Sequence, residues 1–178
     1  LYIARTQTGG RGRLGRSFHS PARTGLYMTV AYTTKRPLTE AVRVTAAASV
    51  AACSAIEALT GISPAIKWVN DLYLNGAKVG GILTEAVTRP DGSHRMVVGL
   101  GINLTTTEFP EGLRAPATAL FPPDKAKTVT PALMGALAGA ITRRLLDMVD
   151  PEEGGDFPLG MWGDTCLDFY RRRLLYVG

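Results

Sequence analysis

"AIKWVNDLYLNGAKVGGILTEAVTRPDGSHRMVVGLGINL", Ala65 to Leu104, is the stretch that decides the architecture. Its apolar and β-branched residues come in short runs separated by turn signals, the pattern of successive strands. Asn75-Gly76 tolerates the positive φ angles of a two-residue hairpin turn, and "PDGSH" (Pro90 to His94) is a second turn. Strands joined this closely pair antiparallel. Within the hairpin, simple alternation puts Lys67, Val69 and Asp71 on one face, and Lys78, Gly80 and Ile82 on one face of the partner strand.

The flanks extend this sheet. Leu1 to Ala4 reads as the end of a strand, and "LYMTVAYTT" (Leu26 to Thr34) as a full one. After Pro37 a helix is expected from about Thr39 to Thr60, with small residues (Ala46, Ala47, Ala48, Ala51, Ala52) on which a sheet can lie close and Gly61 as its stop. Thr105 to Val129, with four prolines, is loop-like. Thr130-Pro131 opens a helix to about Val149, and a last helix covers Trp162 to Arg173, with Tyr176-Val177 starting a further element. Strands in hairpins outnumber helices, so an α+β fold is expected: a mixed, mostly antiparallel sheet backed by helices.

The 178 residues, 46% apolar and 20% charged, suit one compact folded domain and exclude a disordered chain. No signal peptide is evident, and Val44 to Leu59 is read as too short and weakly apolar to span a bilayer. Cys53 and Cys166 lack metal or redox spacing, which makes them buried free thiols of a cytoplasmic protein.

The net charge of +5 is local. Before Glu40 there is no acidic residue, while Arg5, Arg11, Arg13, Arg16, Arg23, Lys35 and Arg36 contribute seven positive charges. The remainder carries 13 basic and 15 acidic residues. Much of the early charge lies in "TQTGGRGRLGRSFHSP" (Thr6 to Pro21), which has four glycines and three arginines and only Leu14 as an apolar residue between Gln7 and Ser17. Glycine lets backbone N–H groups converge on an anion, and arginine adds two-pronged hydrogen bonds to phosphate or carboxylate. The stretch is not a P-loop, since no G-x-x-x-x-G-K-[ST] is present, nor a dinucleotide fingerprint, which should join a strand to a helix whereas here a strand follows. On its own it is equally a flexible basic loop or an RNA-contacting arm. Two further clusters bear on the choice. Lys78 sits in an apolar strand beside Gly80-Gly81, where it is either an edge-strand gatekeeper or faces an anionic ligand that comes close to the backbone. Gly99 to Asn103, "GLGIN", again sets glycines within a strand that ends in an amide.

Taken in order, Q-x-x-G-R-G-R-x-G-R-(aromatic)-x-S-P, K-W-x-N-D-L-Y-L-x(3)-K-x-x-G-I-L-x-E and G-x-G-I-N resemble the bacterial biotin–protein ligases, also called biotin–[acetyl-CoA-carboxylase] ligases. The resemblance runs from Leu1 to Asn103 by motif and more loosely to Gly178. It implies a fold like the class II aminoacyl-tRNA synthetases, with the whole of residues 1–178 in one catalytic domain. It also implies activation of biotin with MgATP to biotinyl-5′-AMP, and transfer to a lysine of a biotin carboxyl carrier protein. By the same resemblance Lys78, Arg13 and Arg11 are the catalytic cations. Gln7, Gly10, Arg11, Gly12, Arg13, Lys78, Gly81, Gly99, Gly101 and Ile102 bind biotin, with Gly99, Gly101 and Ile102 as a thin apolar wall. Arg13, Arg16, Phe18, Asn70, Asp71 and Asn103 bind ATP: Phe18 stacks on adenine in place of the usual tryptophan, and Asp71 is the candidate contact for Mg2+. A homodimer is left open, and neither a membrane nor DNA is an expected partner.

The family's Ser/Thr-x-Asn motif and its SH3-like C-terminal domain are expected outside this chain. A lipoate–protein ligase-like enzyme, a nucleic-acid-binding module using the arginine loop, and a binding-only remnant are the competing readings.

Overall fold

The computed structural model describes residues 1–36, 41–149, 158–159 and 164–175. Six strands form one sheet: β1 (Tyr2–Ala4), β2 (Gly25–Thr34), β3 (Ala65–Lys67), β4 (Asp71–Leu74), β5 (Ala77–Thr88) and β6 (His94–Asn103), in the order β1-β2-β6-β5-β4-β3. Each of the five pairings is antiparallel, so the sheet is of the expected kind without its expected mixed part. Among the described residues parallel pairing is confined to isolated bridges, Ile66 with Leu174 and Lys78 with Ala117. The β4–β5 turn has Asn75 and Gly76 at φ of 50° and 80°, the left-handed region that the dipeptide was read to supply.

Helices cover one face of the sheet. Helix α1 (Ala41–Thr60) lies on it, and α2 (Pro131–Val149) and α3 (Cys166–Arg173) pack against α1. Alternate residues of β2 and β6 (Leu26, Met28 and Val30; Met96, Val98, Leu100 and Ile102) join the core beneath the helices. Because α1 is enclosed by sheet and helices, its buried positions run almost all round, and alanines at 47, 48, 51, 52 and 55 allow the close approach. The amide of Gly61, at φ 71°, returns to the Glu57 carbonyl (2.9 Å) and ends the helix. In α2, Thr130 Oγ1 accepts from the Leu133 amide at 3.2 Å, the expected N-cap. By length and composition α1 would be able to cross a membrane, contrary to the reading of Val44 to Leu59, and in the fold its apolar surface is used by the core.

Helix α3 starts at Cys166, later than expected, because Asp164–Thr165 forms strand β8 against β7 (Pro158–Leu159). Trp162, Tyr176 and Val177 lie outside the described residues. Arg173 ties α3 to α1 through Glu57, its Nη2 reaching both carboxylate oxygens (2.6 and 2.5 Å). Both cysteines are free and buried, and desolvation pushes the Cys53 thiol up to about 12 and that of Cys166 to about 11.

Two local features depart from simple alternation. The chain reverses at Trp68-Val69-Asn70, so Lys67 and Asp71 are partners across a β3–β4 hairpin rather than neighbours on one strand. Ser49 Oγ on α1 donates to the Val69 carbonyl (3.3 Å) and holds that reversal. In addition, a β-bulge interrupts the β4–β5 ladder: Tyr73 pairs with Lys78, but Leu72 pairs with Gly80. The extra residue, Val79, is fully buried, and Lys78 is moved to the face of Gly81, opposite the core-facing Ile82. The expected grouping of Lys78 with Gly80 and Ile82 is therefore overturned.

Gly80 is closely confined. A Cβ there would lie 2.7 Å from the Gly101 carbonyl oxygen, a backbone atom that cannot swing aside. Gly80→Ala should destabilise the fold by about 1–3 kcal/mol, read from the shift of the urea midpoint. An unchanged midpoint would mean that β5 and β6 separate freely at this point.

Candidate active site

The face of the sheet away from the helices carries few side chains at its centre. In one cross-strand row Tyr27, Gly101, Gly81 and Asp71 stand side by side from β2 to β4. The next row holds Thr29, Gly99 and Leu83. Three glycines in adjacent positions leave a trough, which forms the floor of a cleft of about 720 Å³. That is the size range of small-molecule sites.

Lys78 reaches across this floor. A Cβ on Gly81 would lie 3.3 Å from both Cε and Nζ of Lys78, so glycine makes room for the lysine to lie flat. Its Nζ donates to Asp71 Oδ1 at 2.6 Å, with both side chains about a quarter exposed. The anionic partner that a lysine in a sheet requires is thus Asp71, supplied by the next strand.

The glycine–arginine loop forms the opposite wall. It folds back on itself: Gly12 N–H donates to the Arg16 carbonyl (2.7 Å), Phe18 N–H to that of Gly10 (2.8 Å), and Arg11 bridges to Ser17. Leu14 adopts φ 59° at the tip. Gly10 is needed for packing, since a Cβ there would lie 2.5 Å from the Phe18 carbonyl oxygen and 2.8 Å from Ser20 Oγ. Gln7 accepts from Ser20 Oγ at 2.7 Å, and the loop lays the Phe18 ring directly over Gly101. Arg13 Nη1 donates to Asn70 Oδ1 (3.2 Å), while Arg11 comes within 3.8 Å of Glu85, an exposed and weak pair.

Of the residues singled out from sequence, Gln7, Arg11, Gly12, Arg13, Arg16, Phe18, Asn70, Asp71, Lys78, Gly81, Gly99 and Gly101 line this one cleft. Gly10 stands behind it, holding the loop shape. Ile102 was expected in the wall, but its side chain is fully buried on the helix side, as its alternation with Gly101 requires. Asn103 also stands off the cleft: it is 4% exposed, its Nδ2 donates to the Thr118 carbonyl (3.2 Å), and its buried Oδ1 has no partner among the described residues. Asn70 is largely engaged in structure. Its Nδ2 donates to the Ile82 carbonyl (3.0 Å) and its own carbonyl accepts from the Ile82 amide (2.8 Å), so it fastens the β3–β4 reversal to β5.

Sequence reading missed several lining residues. Thr29, Leu83 and Val97 could have been found from strand alternation, since they share the glycines' face. Trp68, two-thirds exposed at the rim, meets Tyr170 edge-on at 6.1 Å. Arg114 and Ala115 come from the proline-bounded segment after β6, which carries no periodic signal. Six basic side chains (Arg11, Arg13, Arg16, Lys67, Lys78, Arg114) then face two acidic ones (Asp71, Glu85), a surplus that suits a ligand with several negative charges.

Gly101→Ala tests the seat of Phe18. A Cβ would collide with the ring, a side chain able to turn away, so stability should stay within about 1 kcal/mol of the parent. The loop should be unseated, and the Phe18 amide should exchange with deuterium faster. Unchanged protection of that amide would show that the ring does not hold the loop.

Residues 1–103 match the model of the biotin/lipoate A/B protein ligase family. Among curated relatives, the bifunctional ligase/repressor BirA of Bacillus spizizenii is 39% identical over 122 residues, covering 67% of this chain and 38% of the relative. The biotin–[acetyl-CoA-carboxylase] ligase of Mycobacterium tuberculosis is 34% identical over 125 residues, covering 68% and 44%. The chain thus spans less than half the length of these two proteins. Of solved structures, biotin protein ligase from Aquifex aeolicus in complex with biotin and ATP is similar with a TM-score of 0.69 at 26% identity, over 99% of this chain and 68% of that one. The match covers more than half of the residues and includes the loop, Lys78 and the glycine floor: this chain belongs to the biotin/lipoate A/B protein ligase family.

Proposed function

We propose that residues 1–178 belong to the catalytic domain of a biotin–protein ligase acting in the cytoplasm. It would activate biotin with MgATP to biotinyl-5′-AMP and pass the biotinyl group to a lysine of a biotin carboxyl carrier protein. The observation that carries this reading is Lys78 lying across a glycine-lined floor, with three arginines on the facing loop. The Mycobacterium tuberculosis relative and the Aquifex aeolicus structure, both named as biotin ligases, favour biotin over lipoate.

In the first step a biotin carboxylate oxygen attacks the α-phosphorus of ATP, and the bond from that phosphorus to the bridging oxygen breaks, releasing pyrophosphate. Two anions must meet, so their charges need fixed cations in a partly dry site. Lys78 exchanges Asp71 for the substrate carboxylate and then stays beside the anhydride oxygen. Arg11 and Arg13 neutralise carboxylate and α-phosphate from the loop, and Arg16 reaches the phosphates. Gln7 and the backbone at Gly12 and Gly81 hydrogen-bond the ring and carboxylate ends of biotin, with Gly10 shaping the loop behind them. Gly99 and Gly101 leave room for the fused rings, while Phe18 stacks on adenine. In the second step the carrier lysine, as the free amine, attacks the acyl carbon; AMP departs, the amine loses a proton and an amide remains.

Among the described residues no group of three His, Cys, Asp or Glu side chains could hold a metal by itself. Magnesium would therefore arrive on the ATP phosphates, with Asp71 as its protein carboxylate and Asn70 nearby, the usual arrangement for this ion. When bound it spreads the phosphate charge.

The test is biotin-dependent exchange of pyrophosphate into ATP. Lys78→Ala should lower the exchange rate by at least about a hundredfold, the scale for removing one fixed charge-stabilising donor, with a parent-like urea midpoint. Near-parent exchange in that variant would overturn the role of Lys78, and exchange driven by lipoate but not biotin would overturn the substrate.

A further inference from the structure

The segment between β6 and α2 is fastened to the site by the backbone of Lys78 itself. Lys78 N–H donates to the Pro116 carbonyl (2.8 Å), and Thr118 N–H donates to the Lys78 carbonyl (2.9 Å). Asn103 Nδ2 holds the Thr118 carbonyl, and Leu120 N–H returns to the Asn103 carbonyl (2.8 Å). This short ladder occupies the place beside β5 that β6 vacates once it ends at Asn103. It fixes the position of residue 116 relative to the site lysine, and Arg114 precedes it by only two residues.

Arg114 lines the cleft, is exposed, and makes no hydrogen bond or ion pair with any described residue. Four of the other cleft cations differ: Lys78 is held by Asp71, Arg13 by Asn70, Arg11 lies by Glu85, and Lys67 sits 5.2 Å over the Tyr73 ring. Arg16 is exposed like Arg114, but it stands on the glycine–arginine loop and not on a segment bonded to the main chain of Lys78. A guanidinium on a tethered backbone, left without an internal partner and facing a cleft of positive surplus, is placed for an external anion. Lys78 already serves the buried floor, so a cation at the solvent-facing rim suits the part of the substrate that must leave to solvent.

We propose that Arg114 binds the β- and γ-phosphates of ATP, and then the departing pyrophosphate, from the segment bonded to the main chain of Lys78. This rests on the ligase reading above. Because the segment hangs on the main chain of Lys78, Arg114 positions the polyphosphate relative to the attacking carboxylate, and it is a positioning residue for that end of the nucleotide.

Binding measured without turnover tests this. With saturating biotin, calorimetry would follow the non-hydrolysable α,β-methylene analogue of ATP, pyrophosphate and AMP on the parent chain, Arg114→Ala and Arg114→Lys. Loss of a charge-assisted contact should weaken the analogue and pyrophosphate about ten- to a hundredfold in Arg114→Ala. AMP should be unaffected and biotin affinity unchanged, and Arg114→Lys should recover part of the loss. Equal binding of the analogue by parent and Arg114→Ala would overturn the inference and leave the ligase reading standing. AMP weakened as much as the analogue would also overturn it, since the contact would then be to the nucleoside or α-phosphate. A parent chain that binds neither biotin nor the analogue would overturn the ligase reading, and the inference with it.

Discussion

The contact between Lys78 and Asp71, 2.6 Å across the β4–β5 ladder, is the interaction on which the open face depends. It exists because Val79 is an extra residue in β5. Without that bulge Lys78 would point into the apolar layer under α1, where an ammonium group is costly. With it, Val79 fills the core and the lysine lies over Gly81. One inserted residue thus serves stability on one face and chemistry on the other.

The glycines complete the arrangement by what they lack. Gly81, Gly99 and Gly101 remove side chains from adjacent positions of two neighbouring rows, so a ligand can approach the backbone of the sheet itself. Phe18 uses part of this space, and through it the loop is seated on the floor that it would cover. Asn70 joins the same system, with its amide nitrogen on β5 and its oxygen receiving Arg13. Loop, floor and lysine are therefore parts of one mechanical unit, and a carboxylate and a phosphate entering it would meet cations from both walls.

Much of this was legible in the chain. Asn75-Gly76 and Asp91-Gly92 announce two hairpins, Thr130-Pro131 opens a helix, and the clustering of arginine with glycine marks an anion site. The bulge was not read, because strict period-two counting assumes one residue per partner. A signal was nevertheless present: Val79 and Ile82, both apolar, are three apart with two glycines between them, which no regular strand with one buried face explains. Ile102 was assigned to the wall by motif position, although Met96, Val98 and Leu100 already placed even-numbered residues of β6 in the core. Arg114 could not be found from sequence at all. Its place depends on long-range backbone bonds to Lys78, which leave no trace in local propensity.

The central claim is that this cleft brings a carboxylate and a nucleotide together and joins them. Native mass spectrometry of the chain after incubation with biotin and MgATP tests it most directly, by weighing what remains bound. The account expects a complex heavier than the free chain by the mass of biotinyl-5′-AMP, appearing only when both substrates are supplied. A chain that retains biotin and ATP separately, without the joined species, would contradict it.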